Sequence, residues 1–178
     1  MPMDNYAEFL RRLDTAAASL KKRQTKLDTA RAVVSTLADQ NEFGLQQWTK
    51  RRAKLEMLLG GNDVPATTAL KDLRGISANM VSVFGTRAER VSSRLAAVQA
   101  RLDEINRSLQ ALELSKQKLT SSRRIAEERE NLSRTVLGLA GTAEGIAAPT
   151  PDGGLRDDLK AAREAVLLAE ALLELKGN

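Results

Sequence analysis

The side chains able to do chemistry in this 178-residue chain are Ser, Thr, Lys, Arg, Asp and Glu, because histidine and cysteine are absent. Their absence removes imidazole bases, thiolate nucleophiles, disulfides and the usual nitrogen and sulfur ligands of zinc. The densest carboxylate cluster is Glu127, Glu128 and Glu130, set among Arg123, Arg124, Arg129 and Arg134. A metal site there would need ligands from another helix, whereas a solvated face balanced by the arginines needs nothing further. Gly60-Gly61 lacks the following Gly-Lys-Ser/Thr of a phosphate loop, and Gly153-Gly154 precedes no such lysine. Both glycine pairs are expected to mark turns. No catalytic, cofactor-binding or metal site is expected, and the chain is not expected to be an enzyme.

Two basic clusters remain as contact candidates. Lys21-Lys22-Arg23 with Lys26 forms one, and Lys50-Arg51-Arg52 with Lys54 the other. Neighbouring residues on a helix point in different directions, so neither cluster makes a flat patch. They suit phosphates, contacted without reading a base sequence, or an acidic protein partner. Trp48 is the ring nearest to them, and its spacing puts it on an apolar stripe. Charge is uneven along the chain: residues 1–60 carry 11 bases and 7 acids, residues 61–140 carry 13 and 9, and residues 141–178 carry 4 and 7. A mild excess of this kind is more simply a solvated surface than a nucleic-acid site.

The elements that hold these groups are long helices. In the first block, about residues 4–59, Tyr6, Leu13, Leu20, Leu27, Val34, Asn41, Trp48 and Leu55 recur every seventh residue. Leu10, Ala17, Gln24, Ala38 and Leu45 fill the flanking position, and Arg31 interrupts it. Period seven over so many turns predicts a helix, roughly 80 Å long if continuous. Gly44 is where a bend or break is expected, and Asn41 is expected to set register as a buried amide.

The second helix, predicted from about residue 69 or 76 to 138, carries the interaction seam. Val81, Ala88, Leu95, Leu102 and Leu109 hold one heptad position; Phe84, Val91, Val98, Ile105 and Leu112 hold the other. The pattern fails at Lys116 and Arg123 and resumes out of phase through Ile125, Leu132, Val136 and Leu139, which invites a different neighbour. Gly75 is expected to separate a short first turn, with Ser77 as the cap of the main helix. Gly60 to Thr68, with Pro65, predicts the turn between the helices. Residues 141–154, with Pro149 and Pro151, predict a linker. Residues 155–178 predict a short amphipathic helix whose apolar face is too wide for a narrow seam.

The fold class is therefore all-α: two long antiparallel heptad-patterned helices, a coiled-coil hairpin, plus a short C-terminal helix. Leu at the first seam position and Val or Ile at the second lean away from a parallel dimer. Arg87, Arg94 and Arg101 on one flank, opposite Ser92, Gln99 and Asn106, would have no acids in such a dimer. Folding the second helix back near Thr67 places Arg94 by Glu42, Arg101 by Asp39 and Glu113 by Arg23. The start of the chain lacks the order of a signal peptide, and no apolar run approaches about 18 residues, so a cytoplasmic or virion-assembled protein is expected. The expected function is a non-catalytic spacer or bridge in a multiprotein assembly, with other chains, copies of itself included, as partners and no cofactor. A bacteriophage neck, tail or fibre-associated part is one setting. In architecture the chain resembles the basic helical hairpins of flagellar and type III export stalks. A nucleic-acid-associated protein using its basic body is the alternative.

Overall fold

The structure, a computed structural model, describes residues 2–61, 68–140 and 153–175. It is all-α, with three helices: α1 (Pro2–Gly60), α2 (Thr68–Ala140) and α3 (Gly153–Glu174). No strand occurs among the described residues. The expected turn at 62–67, most of the expected linker (141–152) and the last three residues lie outside them.

Both long helices run through the glycines expected to interrupt them. Gly75 lies within α2, and Ser77 is no cap: it is buried in the helix interior, where its Oγ donates to the Arg74 carbonyl at 2.9 Å. Helical hydrogen bonding carried on both sides by good helix formers outweighs a single glycine, which costs only about 1 kcal/mol relative to alanine. Asn41 donates to the Leu37 carbonyl of its own helix at 2.7 Å, so its amide donor is spent locally rather than across the seam.

Gly44 has a packing reason. A Cβ built there would lie 2.3 Å from Phe84 Cε1 and 2.6 Å from its Cδ1, so the ring occupies the space that a side chain would need. Gly85 has open space around it. Gly44→Ala is therefore expected to lower stability, because overpacking costs about 1–3 kcal/mol and exceeds the gain in helix propensity. Gly85→Ala, which meets nothing, should gain about 1 kcal/mol. Urea unfolding followed by circular dichroism checks both, and midpoints that move in the same direction would refute the account.

The chain divides into two compact units: Met1–Gln24 with Asp103–Asn178, and Thr25–Leu102. The first is a three-helix unit. Leu13, Ala16 and Leu20 of α1, Ile105, Leu112 and Leu119 of α2, and Ala162, Val166 and Ala169 of α3 form its core, none more than 5% exposed. The second holds two helices. There Val81, Phe84, Ala88, Val91, Leu95 and Val98 are all only half-buried, and Leu102 is the one fully buried apolar residue among those described. Two cylinders in contact leave the sides of their seam open, and a third helix is what closes it in the first unit.

The helices of each unit are antiparallel, in a register different from the expected one. In the two-helix unit Arg31 donates to Gln99 and Arg74 pairs with Glu56 at 2.9 Å. In the three-helix unit Gln24 donates to Asn106 and Lys116 pairs with Asp14 at 2.6 Å. These contacts are slid by six to ten positions, roughly two to three helical turns, from the expected pairs. The Arg94–Glu42, Arg101–Asp39 and Glu113–Arg23 pairings consequently do not form. The seam looks almost the same after a slide of one heptad, and surface ion pairs worth roughly 0–1 kcal/mol were too weak a guide to choose between registers. The fit of Phe84 over Gly44 is specific to one of them.

Candidate interaction surfaces

The seam does not fail at Lys116 and Arg123. Each stem follows the stripe while its charged head turns outward: Lys116 Nζ reaches Asp14, and the Arg123 guanidinium lies 4.2 Å from the centroid of the Tyr6 ring. Leu119 between them is fully buried. The hydrogen bond and charge of Asp14 push the Lys116 ammonium pKa upward.

Helix α3 is fastened at both of its ends. Near its start, Asp158 accepts a hydrogen bond from Ser122 of α2. Farther along, Arg12 of α1 grips Glu170 through Nε and Nη2, both at 2.8 Å. At its end, Arg23 Nη1 donates to the carbonyls of Leu172 (2.6 Å) and Leu173 (3.0 Å), and Nη2 donates to that of Leu175. The last carbonyls of a helix have no partner within it and carry the negative end of its dipole, so a guanidinium is a fitting external cap. Nothing in the spacing of Arg23 announces this role. The cluster Lys21-Lys22-Arg23 is thus split: Lys21 and Lys22 are exposed, and Arg23 is engaged by α3.

The Arg12 hydrogen bond holds the Glu170 carboxyl below its ordinary value of 4.5, against a smaller opposing effect of partial burial. A depressed carboxylate contributes stability that is present above the ordinary value and is lost as pH falls through the folded one. Acid titration of α3 docking, followed by amide exchange of its residues, should show loosening below pH 4.5. Glu170→Gln should weaken docking at neutral pH and flatten that acid limb; an unchanged limb would count against the pair.

The second basic cluster, Lys50, Arg51 and Arg52, is exposed, with the Arg51 guanidinium 4.7 Å from the centroid of Trp48. Trp48 itself is half-buried on the stripe, and Phe43 is exposed. The carboxylate cluster behaves as a balanced face: Arg123 pairs with Glu127 at 2.7 Å, Arg124 with Glu128 at 2.9 Å, and Arg134 with Glu130. Among the described residues no group of acids is placed to hold a metal ion, and no helix is long and apolar enough to cross a membrane.

Large exposed apolar side chains are the more telling surface. On the two-helix unit they include Val33, Leu37, Met57, Leu73, Ile76 and Val83; on the three-helix unit, Ile125, Leu132 and Val136 of α2 and Leu167 and Leu168 of α3. Ile125, Leu132 and Val136 of the out-of-phase stripe of α2 thus meet no covering helix among the described residues. No family model matches the chain, and neither does a curated protein or a solved structure. Its class rests on its own geometry: an all-α protein of two long antiparallel helices and a short third.

Proposed function

We propose that this chain is a non-catalytic structural protein, a helical spacer or bridge whose surfaces hold other protein chains in an assembly. The observation that supports it most is the half-covered seam of Thr25–Leu102, flanked by exposed Val33, Leu37 and Val83. Monomeric proteins seldom expose contiguous apolar patches larger than a few hundred Å², and such patches commonly mark protein contacts. Long helices separate their ends by about 1.5 Å per residue, which suits a spacer. A virion part of a bacteriophage or a secretion stalk is a setting that uses such an element.

Light scattering over a range of concentrations, paired with a mobility shift of duplex DNA and of RNA at low salt, tests the reading. Association above the 19.4 kDa of one chain, with nucleic acid unmoved, is the expected result. A monomer that shifts nucleic acid, with an affinity falling steeply as salt rises, would replace it with the alternative of a nucleic-acid-associated protein.

A further inference from the structure

The two open sides of the Thr25–Leu102 unit differ in charge and in shape. Naming heptad positions so that Val34 and Phe84 are d and Ala38 and Ala88 are a, one side of the seam presents positions e and b of both helices. The grooves confirm that grouping: Ser35, Asp39 and Glu42 of α1 line one groove with Glu89, Ser92 and Ser93 of α2. Ala32 and Ser35 line the next with Ser92 and Ala96. This side carries Asp28, Asp39, Glu42, Glu56 and Glu89 and is floored by small residues; its bases are Lys71, near the turn end of α2, and two seam arginines that reach over to its acids, Arg31 to Asp28 and Arg74 to Glu56.

The opposite side presents positions g and c. Its α2 rows carry Arg87, Arg90 and Arg94, all exposed, and its α1 rows carry Lys26, Arg51 and Lys54. Between these lie Val33, 57% exposed, Leu37, 44%, and Val83, 42%. No acid occupies a g or c position anywhere in the unit.

The two sides match in height as well. In the register set by Arg31–Gln99 and Arg74–Glu56, Arg94 stands level with Thr36, Arg90 with Gln40 and Arg87 with Phe43. Asp39 and Glu42 fall within that span on the other side, and Glu89 stands level with Asn41. Val33 and Leu37 likewise stand level with the small-residue groove of Ala32, Ser35, Ser92 and Ala96. A sideways translation of one hairpin onto another, without any change of direction, would bring arginines to acids and the Val33–Leu37 ridge to that groove.

We infer that the basic, apolar side of this unit docks on the acidic, small-residue side of a second copy of the chain. The inference rests on the reading of the protein as an assembly component and names its partner and its contact. The contact is heterologous, with different patches meeting, so it propagates into a row or closes into a ring rather than stopping at a two-fold dimer. The charges set which sides meet and in what alignment, and the apolar ridge excludes water between them.

The test uses the full chain in three forms: wild type, Arg90→Glu with Arg94→Glu, and Asp39→Lys with Glu42→Lys. All four positions are exposed, and circular dichroism checks that helix content is kept. Sedimentation should show the wild type associating at low salt and dissociating as salt screens the contact. Each reversed form alone should associate at least about tenfold more weakly, since like charges then meet. An equimolar mixture of the two reversed forms should associate again. A wild type that stays monomeric, or association unchanged by either reversal, would overturn the stacking. Salt dependence of the wild type reads the contact even if a reversed form misfolds. A monomer whose arginines shift duplex DNA overturns both the stacking and the proposed function; a monomer that leaves DNA unmoved overturns the stacking alone.

Discussion

Leu112→Ala is expected to cost about 2–5 kcal/mol, whereas Leu95→Ala, at the other seam position of the same helix, should cost about 1 kcal/mol. Both are seam leucines of α2, and composition gives no reason to rank them. Leu112 is 2% exposed in the three-helix unit, where α3 supplies the third wall, and its removal leaves a cavity that α1, α2 and α3 close only in part. Leu95 is half-buried between two helices and borders a groove open to water, so water fills much of the space left behind. Urea unfolding of dilute protein, with the midpoint and slope compared for the two variants, gives the difference. Equal losses would mean that the two-helix seam is as dry in solution as the three-helix core, which two helices alone do not achieve.

Arg23→Ala should release the end of α3 without unfolding the long helices. The guanidinium makes three hydrogen bonds to carbonyls of Leu172, Leu173 and Leu175, and hydrogen bonds involving a charged group contribute about 1.5–3 kcal/mol. Amide exchange is the direct measure. Protection should fall by roughly ten- to a hundredfold over the second half of α3, while α1 and α2 in Thr25–Leu102 stay unchanged. Arg23→Lys should recover only part of the loss, because an ammonium cannot present the fork that reaches successive carbonyls. Uniform loss of protection across all three helices would show instead that α3 docking and the long helices form one cooperative unit. Full protection in both variants would show that the apolar face of α3, through Ala162, Val166 and Ala169, suffices to hold it.

The helices and the seam were legible because their signal is local and repetitive. Leu13 and Leu20 or Leu102 and Leu112 reveal a buried stripe by spacing alone, and each proves nearly inaccessible. Register was not legible, because a stripe repeated every seven residues looks the same after a slide of one repeat. Its discriminating contact is a hole, the missing side chain of Gly44 under Phe84, and in sequence that glycine reads as a helix breaker. The surroundings of α3 were half legible. The width of its apolar face demanded packing, but the partners of Arg23 are backbone carbonyls about 150 residues away, and a carbonyl has no sequence signature. Lys116 and Arg123 looked like errors in the stripe because spacing counts residue types, whereas long side chains place stem and charge in different surroundings.

The Phe84 ring over Gly44 also separates two quantities that a hairpin usually ties together, its alignment and its reach. Alignment is fixed by one key in one slot. Reach beyond that key is set by how many repeats lie between it and the turn, and removing or adding seven residues on each strand of the hairpin would leave both the stripe and the key in phase. A spacer built this way can be lengthened or shortened in whole heptads of about 10 Å each while its alignment is kept.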